Sequence, residues 1–207
     1  MHRVAVLISG RGSNLERILT EVGSGCLRGV CEIEVVVSNR AAARGLEIAR
    51  RAGVATRVVP SRGLGAAAYG ALLLEELELW RVDGLVLAGF MRVLSPAVVA
   101  RYRDRIVNIH PADTAAYQGP DGYRWAFEQG LEETAITVHL VDEAVDTGRV
   151  LARRTVSLRG AATLEEVRKR GLEVEHELYS ATLRAWFEGE GRSESAATHG
   201  RKSCAGS

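Results

Sequence analysis

The chain has 207 residues, 46% hydrophobic and 26% charged, with a formal net charge of +1. That balance suits a globular protein with a core of ordinary size. It gives no electrostatic case for nucleic acid, and no run approaches the roughly eighteen apolar residues of a membrane span.

In chain order, residues 3–9 form a short unbroken apolar run that goes straight into a glycine loop, which suits a buried first strand and not a signal peptide. Helical spacing follows from Ser13 through Leu15, Ile18 and Leu19. A second strand is expected over 33–38 and a helix over 41–52, closed by Gly53. A third strand spans 56–60, and a long helix spans 66–80 with Leu72, Leu73, Leu77 and Trp80 on its apolar side. A fourth strand covers 84–88. Ser95 and Pro96 are an N-cap followed by proline at the first helical position, so a helix runs to about Tyr102. A fifth strand covers 105–110. Strands alternating with helices predict a parallel sheet.

Beyond residue 110 the rhythm changes. A polar loop leads to a helix near Trp125. Strands are then expected over 134–141, with Thr137 and His139 on one face, and over 149–158. Their connection is too short for a parallel crossover, so they pair antiparallel. Thr163 and Glu166 have the spacing of a capping box, opening a helix to about Phe187. The segment 189–207 lacks apolar content and is expected to be mobile. Cys26, Cys31 and Cys204 show neither metal spacing nor a disulfide framework. A reduced, cytoplasmic compartment is expected, with no metal.

Two stretches carry chemistry. The first is "SGRGSN", residues 9–14, a glycine loop opening a helix with Ser13 as its N-cap. Backbone N–H groups at such a junction bind anions. Leu15 stands where a dinucleotide fingerprint needs its third glycine, and no Gly-Lys-Ser/Thr follows, so the loop is of neither named kind. A tight turn needing glycine for steric reasons is the plain alternative. The second is "NIHP". Asn108 and His110, two apart on a strand, point the same way. Ligands bind outside the carboxyl ends of parallel strands, where the glycine loop, "AGFMR" and "NIHP" all lie. Asp146 sits in a loop that reaches the same rim. An amide for an oxyanion, an imidazole to move a proton and a carboxylate to charge it suit acyl transfer. No serine or cysteine is placed as nucleophile, which favours direct transfer to a substrate amine. Singly, each residue has an ordinary reading as a cap, strand-end or turn residue, and His139 reads as structural.

Together, "VLISGRGSNL", "VVSNR", "LAGFMRVLSP", "VNIHP", "TVHLVDEAVDTGRVL" and "EVEHELY" resemble the phosphoribosylglycinamide formyltransferases, within the folate-dependent formyltransferases. The resemblance is collinear over residues 1 to about 187. It implies an α/β fold: an open, mostly parallel Rossmann-like sheet flanked by helices, with an antiparallel strand pair in the C-terminal part. A single domain over 1–188 is expected, 1–105 holding the phosphate and 106–188 the catalytic and folate-binding groups. The implied reaction passes the formyl group of 10-formyltetrahydrofolate, a co-substrate, to the amine of 5'-phosphoribosylglycinamide, in purine biosynthesis and one-carbon metabolism. By the same resemblance Asn108, His110 and Asp146 match the catalytic residues. Arg11, Gly12, Ser13, Asn14 and Glu175 match those holding the phosphorylated substrate. Met91, Arg92, Val93, Leu94, Val141, Asp142 and Glu143, with Asn108 and Asp146, match the folate pocket. Small-molecule partners are implied, with no nucleic acid or membrane, in a monomer or homodimer. After "HP" the family usually continues Ser-Leu-Leu-Pro. Here Ala112-Asp113-Thr114-Ala115 stands instead, so the loop is expected to lose its apolar anchors and its order. That departure keeps two alternatives in view: transfer to another amine, or a non-catalytic folate- or phosphoribosyl-binding relative.

Overall fold

A computed structural model of the chain describes residues 1–143 and 146–189; the tail expected to be mobile lies, from residue 190 on, outside the described residues, as does Cys204. Among the described residues seven strands form one sheet: β1 (His2–Ile8), β2 (Cys31–Ser38), β3 (Ala55–Val58), β4 (Gly84–Leu87), β5 (Ile106–His110), β6 (Glu133–Leu140) and β7 (Val150–Ser157). Their order is β3-β2-β1-β4-β5-β6-β7. Strands β1 to β5 pair parallel, and β6 runs antiparallel to both β5 and β7. The helices are α1 (Ser13–Ser24), α2 (Arg44–Arg51), α3 (Ala66–Trp80), α4 (Pro96–Arg101), α5 (Gly122–Glu128) and α6 (Leu164–Phe187). Among the described residues no helix is long and apolar enough to cross a membrane.

Strand alternation divides the core between the two faces. Val4, Val6 and Ile8 of β1 join Leu15, Leu46 and Leu183 on one side. Ala5 and Leu7 join Tyr69, Leu73 and Val98 on the other. The pattern slips once. Val4 pairs with Ile33 but Ala5 with Val35, so Glu34 is an extra residue bulged out of β2. Ile33 and Val35 thereby serve opposite faces despite being two apart. The Glu34 carboxylate accepts from Arg3 Nε at 2.7 Å.

Caps explain most boundaries. Ser95 accepts a bond from the Val98 amide at the start of α4. Thr163 accepts from the Glu166 amide, while the Glu166 carboxylate accepts from Ala162 N at 2.6 Å. The expected capping box therefore forms with its return bond displaced one residue upstream. Helix α3 departs from expectation: Leu72 is 44% exposed, and the buried side is Tyr69, Gly70, Leu73 and Leu77. Leu72 lies about 100° round the helix from Leu73, enough to turn it away from the sheet.

Helix α6 crosses behind the middle of the sheet. Its Tyr179 hydroxyl is fully buried and lies 2.9 Å from the Leu87 carbonyl and 3.0 Å from that of Val107. One phenol thus ties α6 to the last residue of β4 and to Val107 near the start of β5, the strands that deliver the site. Tyr179→Phe should cost about 1–2 kcal/mol by removing the one O–H that the two carbonyls share, seen as a fall in Tm of about 2–8 °C. An unchanged melting curve would mean the two strands are held by their own pairing alone.

Candidate active site

The strand order reverses between β1 and β4, which puts a crevice at their carboxyl ends. The loops leaving these strands are stitched together there. Ser9 N donates to the Gly89 carbonyl at 3.1 Å, and Met91 N donates to Ser9 Oγ at 2.7 Å. Ser9 Oγ in turn donates to Asn39 Oδ1 at 2.6 Å, and Asn39 Nδ2 to Ser61 Oγ at 3.0 Å. A line of buried polar groups thus runs across the ends of β4, β1, β2 and beyond β3.

The glycine loop is shaped by contact with α2. Gly12 has φ +83°, and a Cβ there would lie 2.7 Å from the Gly45 Cα. Gly45 N donates to the Gly10 carbonyl at 3.1 Å. Gly12, not Ser13, is the N-cap of α1, and it makes no side-chain cap bond. Ser13, expected as the N-cap, is instead the first helical residue. Arg11 is exposed and Ser13 half-buried, so both remain accessible from solvent. Asn14 is turned inward: its Nδ2 donates to Glu175 Oε2 at 2.5 Å. The other oxygen of Glu175 accepts from the Tyr123 hydroxyl. Burial raises the Glu175 pKa, although Tyr123, Asn14 and Arg11 all pull it down.

Strands β5 and β6 build the second part. Val107 and Ile109 face the α6 side with Ile136, Val138 and Leu140. Asn108 and His110 therefore face the other way, directly opposite His139 and Thr137 in the antiparallel register. Asp146 enters this cluster from its loop. Its Oδ2 lies 3.4 Å from His110 Nδ1 and its Oδ1 3.4 Å from His139 Nε2. Asn108 Nδ2 lies 3.4 Å from Asp146 Oδ1 and 3.2 Å from His139 Nε2. His139 Nδ1 sits 2.9 Å from the Leu140 carbonyl, which holds a proton on that nitrogen and leaves Nε2 to accept from the amide. Both N–H bonds of Asn108 are thus engaged. Burial pushes the Asp146 pKa up, but His139, His110 and the Asn108 amide together hold it below the ordinary carboxylate range. For His110, burial lowers the pKa against the pull of Asp146 and of the Tyr117 carbonyl. Asp146 itself has φ +54°, a left-handed conformation that few residues other than Asn, Asp and Gly accept.

The loop after His110 has anchors of its own, contrary to expectation. Ala116 N and Tyr117 N donate to the Asp113 carbonyl, each at 2.9 Å. Asp113 Oδ1 accepts from Ala115 N at 3.0 Å, and Asp113 Oδ2 pairs with Arg153 at 2.6 Å. Tyr117 stacks on Trp125 with ring centroids 4.8 Å apart, and its ring lies 6.3 Å from that of His110. Its carbonyl lies 3.1 Å from His110 Nε2. Polar turns and aromatic stacking replace the missing leucines. His139 and Tyr117 thus join the Asn108, His110 and Asp146 cluster, and Tyr123 joins Glu175 beside the glycine loop; no sequence pattern marks any of the three. His139 was detectable only through its place opposite Asn108.

The residues expected around folate divide. Met91 and Val93 are 59% and 58% exposed, so they offer apolar surface at the rim. Leu94 is buried at 7% exposure and packs into the core. The Arg92 guanidinium runs inward, donating to the Leu64 carbonyl at 2.9 Å and lying over the Tyr69 ring, so backbone and not side chain faces the crevice there. Val141, Asp142 and Glu143 line a depression of about 320 Å³ with Val99, Arg103 and Asp104. A depression of about 380 Å³ around Phe127, Leu131 and Leu158 holds none of the expected site residues. Among the described residues no cluster of three or more His, Cys, Asp or Glu side chains could hold a metal.

Comparison with known proteins gives one answer. Residues 2–183 match the formyl transferase family. The chain is 37% identical to phosphoribosylglycinamide formyltransferase of Escherichia coli (strain K12), over 89% of this chain and 86% of that protein. The enzyme of the same name from Haemophilus influenzae is 35% identical, over 93% and 89% of the two chains. The crystal structure of glycinamide ribonucleotide transformylase 1 from Symbiobacterium toebii has a TM-score of 0.86 at 37% identity, covering 91% of this chain and 89% of that one.

The anchored loop yields a test. Replacing Ala112–Ala115 by Ser-Leu-Leu-Pro removes the Arg153 ion pair and the Ala115 N–H donor. It also places larger side chains at Ala112 and Thr114, which are 0% and 8% exposed. Tm should therefore fall, overpacking alone costing about 1–3 kcal/mol. A higher Tm would show that apolar anchoring is the better solution here as well.

Proposed function

The chain belongs to the formyl transferase family, and we propose that it is a phosphoribosylglycinamide formyltransferase, using 10-formyltetrahydrofolate as the formyl donor. The observation that carries this reading is the Asn108, His110 and Asp146 cluster beside the glycine loop, in a chain 37% identical to such an enzyme over 89% of its length.

In the reaction a C–N bond forms between the substrate amine and the formyl carbon. The bond from that carbon to the folate nitrogen then breaks, and the amine's proton ends on the departing nitrogen. The carbonyl oxygen carries negative charge in between, and the site is suited to meet it. The Asn108 amide donates to that oxygen by releasing its longer bond, the one to Asp146 at 3.4 Å. His139 keeps the amide aimed through the second N–H at 3.2 Å. Burial favours the neutral imidazole of His110, which takes the amine's proton and passes it to the departing nitrogen, while Asp146 stabilises the imidazolium in between.

The glycine loop supplies position. The Gly12–Asn14 backbone at the start of α1 favours an anion, which suits the ribose phosphate. Exposed Met91 and Val93, with the backbone at Arg92, suit an apolar ring system carrying amide-like edges. Arg11, Ser13 and Glu175 would then contact the phosphorylated substrate, and the 141–146 segment the folate.

The activity is read by tetrahydrofolate formation with phosphoribosylglycinamide and 10-formyltetrahydrofolate. No product with these substrates, but turnover with another amine, would move the chain to a different formyltransferase. Asp146→Asn should lower kcat by ~10²-fold or more, with Kd for each substrate little changed. The same substitution removes the charge that raises the His110 pKa, so the acid limb of the residual kcat profile should move to lower pH. Retention of more than about a tenth of kcat, against an expected loss of ~10²-fold, would make Asp146 a turn residue.

A further inference from the structure

Helix α6 contains Gly171 far from either end, a position where glycine costs about 1 kcal/mol against alanine. The reason lies on α5. A Cβ at Gly171 would overlap the ring of Tyr123, so the missing side chain is the seat for a tyrosine that is 6% exposed. The two helices are pinned beside this seat by Asp121 and Arg168 at 2.7 Å. One turn further along α6, on the same face, stands Glu175, and the Tyr123 hydroxyl donates to its Oε1.

A ring in a core needs no hydroxyl. Phenylalanine would fill the seat equally well, and the hydroxyl makes its bond to the Glu175 carboxylate, which is 5% exposed. The second oxygen of that carboxylate is taken by Asn14 Nδ2, one residue beyond Ser13 of the glycine loop. Because Asn14 must present its NH₂ to a carboxylate, its Oδ1 is the atom left over. That oxygen is buried and has no hydrogen-bond partner. A buried acceptor without a donor costs about 1–3 kcal/mol, which a ligand bearing an N–H or O–H would recover.

We propose that Tyr123 is a positioning residue for the phosphorylated substrate: seated on Gly171, it fixes the Glu175 carboxylate beside the unpaired Asn14 oxygen, so that the pair accepts hydrogen bonds from the amine, amide or hydroxyl end of an aminoribosyl phosphate whose phosphate lies on the glycine loop. This rests on the substrate assignment made above and extends it to a residue that never touches the reacting atoms. Two donors, one on each oxygen, set the plane of the carboxylate. Without Tyr123, Glu175 keeps one donor and is free to turn, and burial favours its protonated form more strongly.

Tyr123→Phe in the full chain tests this, with Gly171→Ala as a second route to the same displacement. Kd for phosphoribosylglycinamide is measured by calorimetry without formyl donor, and KM and kcat are measured for both substrates. Tyr123→Phe should weaken binding of phosphoribosylglycinamide by about tenfold, the scale of one hydrogen bond to a charged group. KM for the formyl donor and kcat at saturation should stay within about twofold, as expected when ground-state and transition-state binding are lost together. In a Glu175→Ala background Tyr123→Phe should add nothing. Gly171→Ala should lower Tm and raise the same Kd. An unchanged Kd in Tyr123→Phe, or a lower Tm with unchanged Kd in Gly171→Ala, would overturn the proposal and leave Tyr123 a packing residue. Wild-type protein that binds phosphoribosylglycinamide yet transfers no formyl group would overturn the activity, while the Kd comparison still decides this inference.

Discussion

A β-strand sends successive side chains to opposite faces, and the site depends on that two-residue period being kept across β5 and β6. Val107 and Ile109 are committed to the core under α6, so Asn108 and His110 have no choice of side. The antiparallel register then sets His139 against Asn108 and Thr137 against His110. A slip of one residue in either strand would turn its polar side chains under α6 and put valine or isoleucine into the site. The hydrophobic demand of the core thus specifies the polar cluster more firmly than the polar residues do themselves. The bulge at Glu34 shows the same rule handled differently. There the chain inserts a residue to correct the parity of β2, in a place with no chemistry to disturb.

Two carboxylates at this end of the molecule are held in opposite ways. Asp146 is half-buried and faced by Asn108, His110 and His139, and its pKa falls. Glu175 has two good donors but is almost wholly enclosed, and its pKa rises. Burial is the largest influence in each case, and the number and charge of the partners decide whether it is overcome. The acid meant to stay charged is the one reached by imidazoles. The other is enclosed by neutral donors and by the glycine loop, where the arrival of a ligand can change its state.

Much of this was legible in the sequence. The buried parallel strands announced themselves as unbroken apolar runs, and α3 was bounded correctly at Ala66 and Trp80 because glycine and a change of pattern mark both ends. Asn108 and His110 could be paired from spacing alone. What failed needed contacts between distant parts of the chain. The N-cap of α1 is Gly12 because the loop packs backbone to backbone against Gly45, a neighbour that no local pattern shows. The loop after His110 looked unanchored because its anchors, Arg153 and Trp125, come from β7 and α5. His139 read as a structural histidine in an apolar strand, and only strand register makes it part of the cluster. Tyr123 had no signal beyond a glycine in the wrong part of a helix.

Trp125 lies half-buried with Tyr117 stacked on its face, and Tyr117 in turn faces the His110 ring. This gives the molecule an optical property as well as a mechanical one. An indole's emission responds to the polarity around it and to the groups pressed against its ring. A displacement that lifts Tyr117 off Trp125 uncovers the indole, so the colour and intensity of tryptophan emission would report on the loop beside His110. The other two tryptophans lie apart from it, Trp80 beneath Arg57 on α3 and Trp186 against Phe187 at the end of α6. They form a steady background against which one residue serves as a built-in gauge of whether the imidazole is covered.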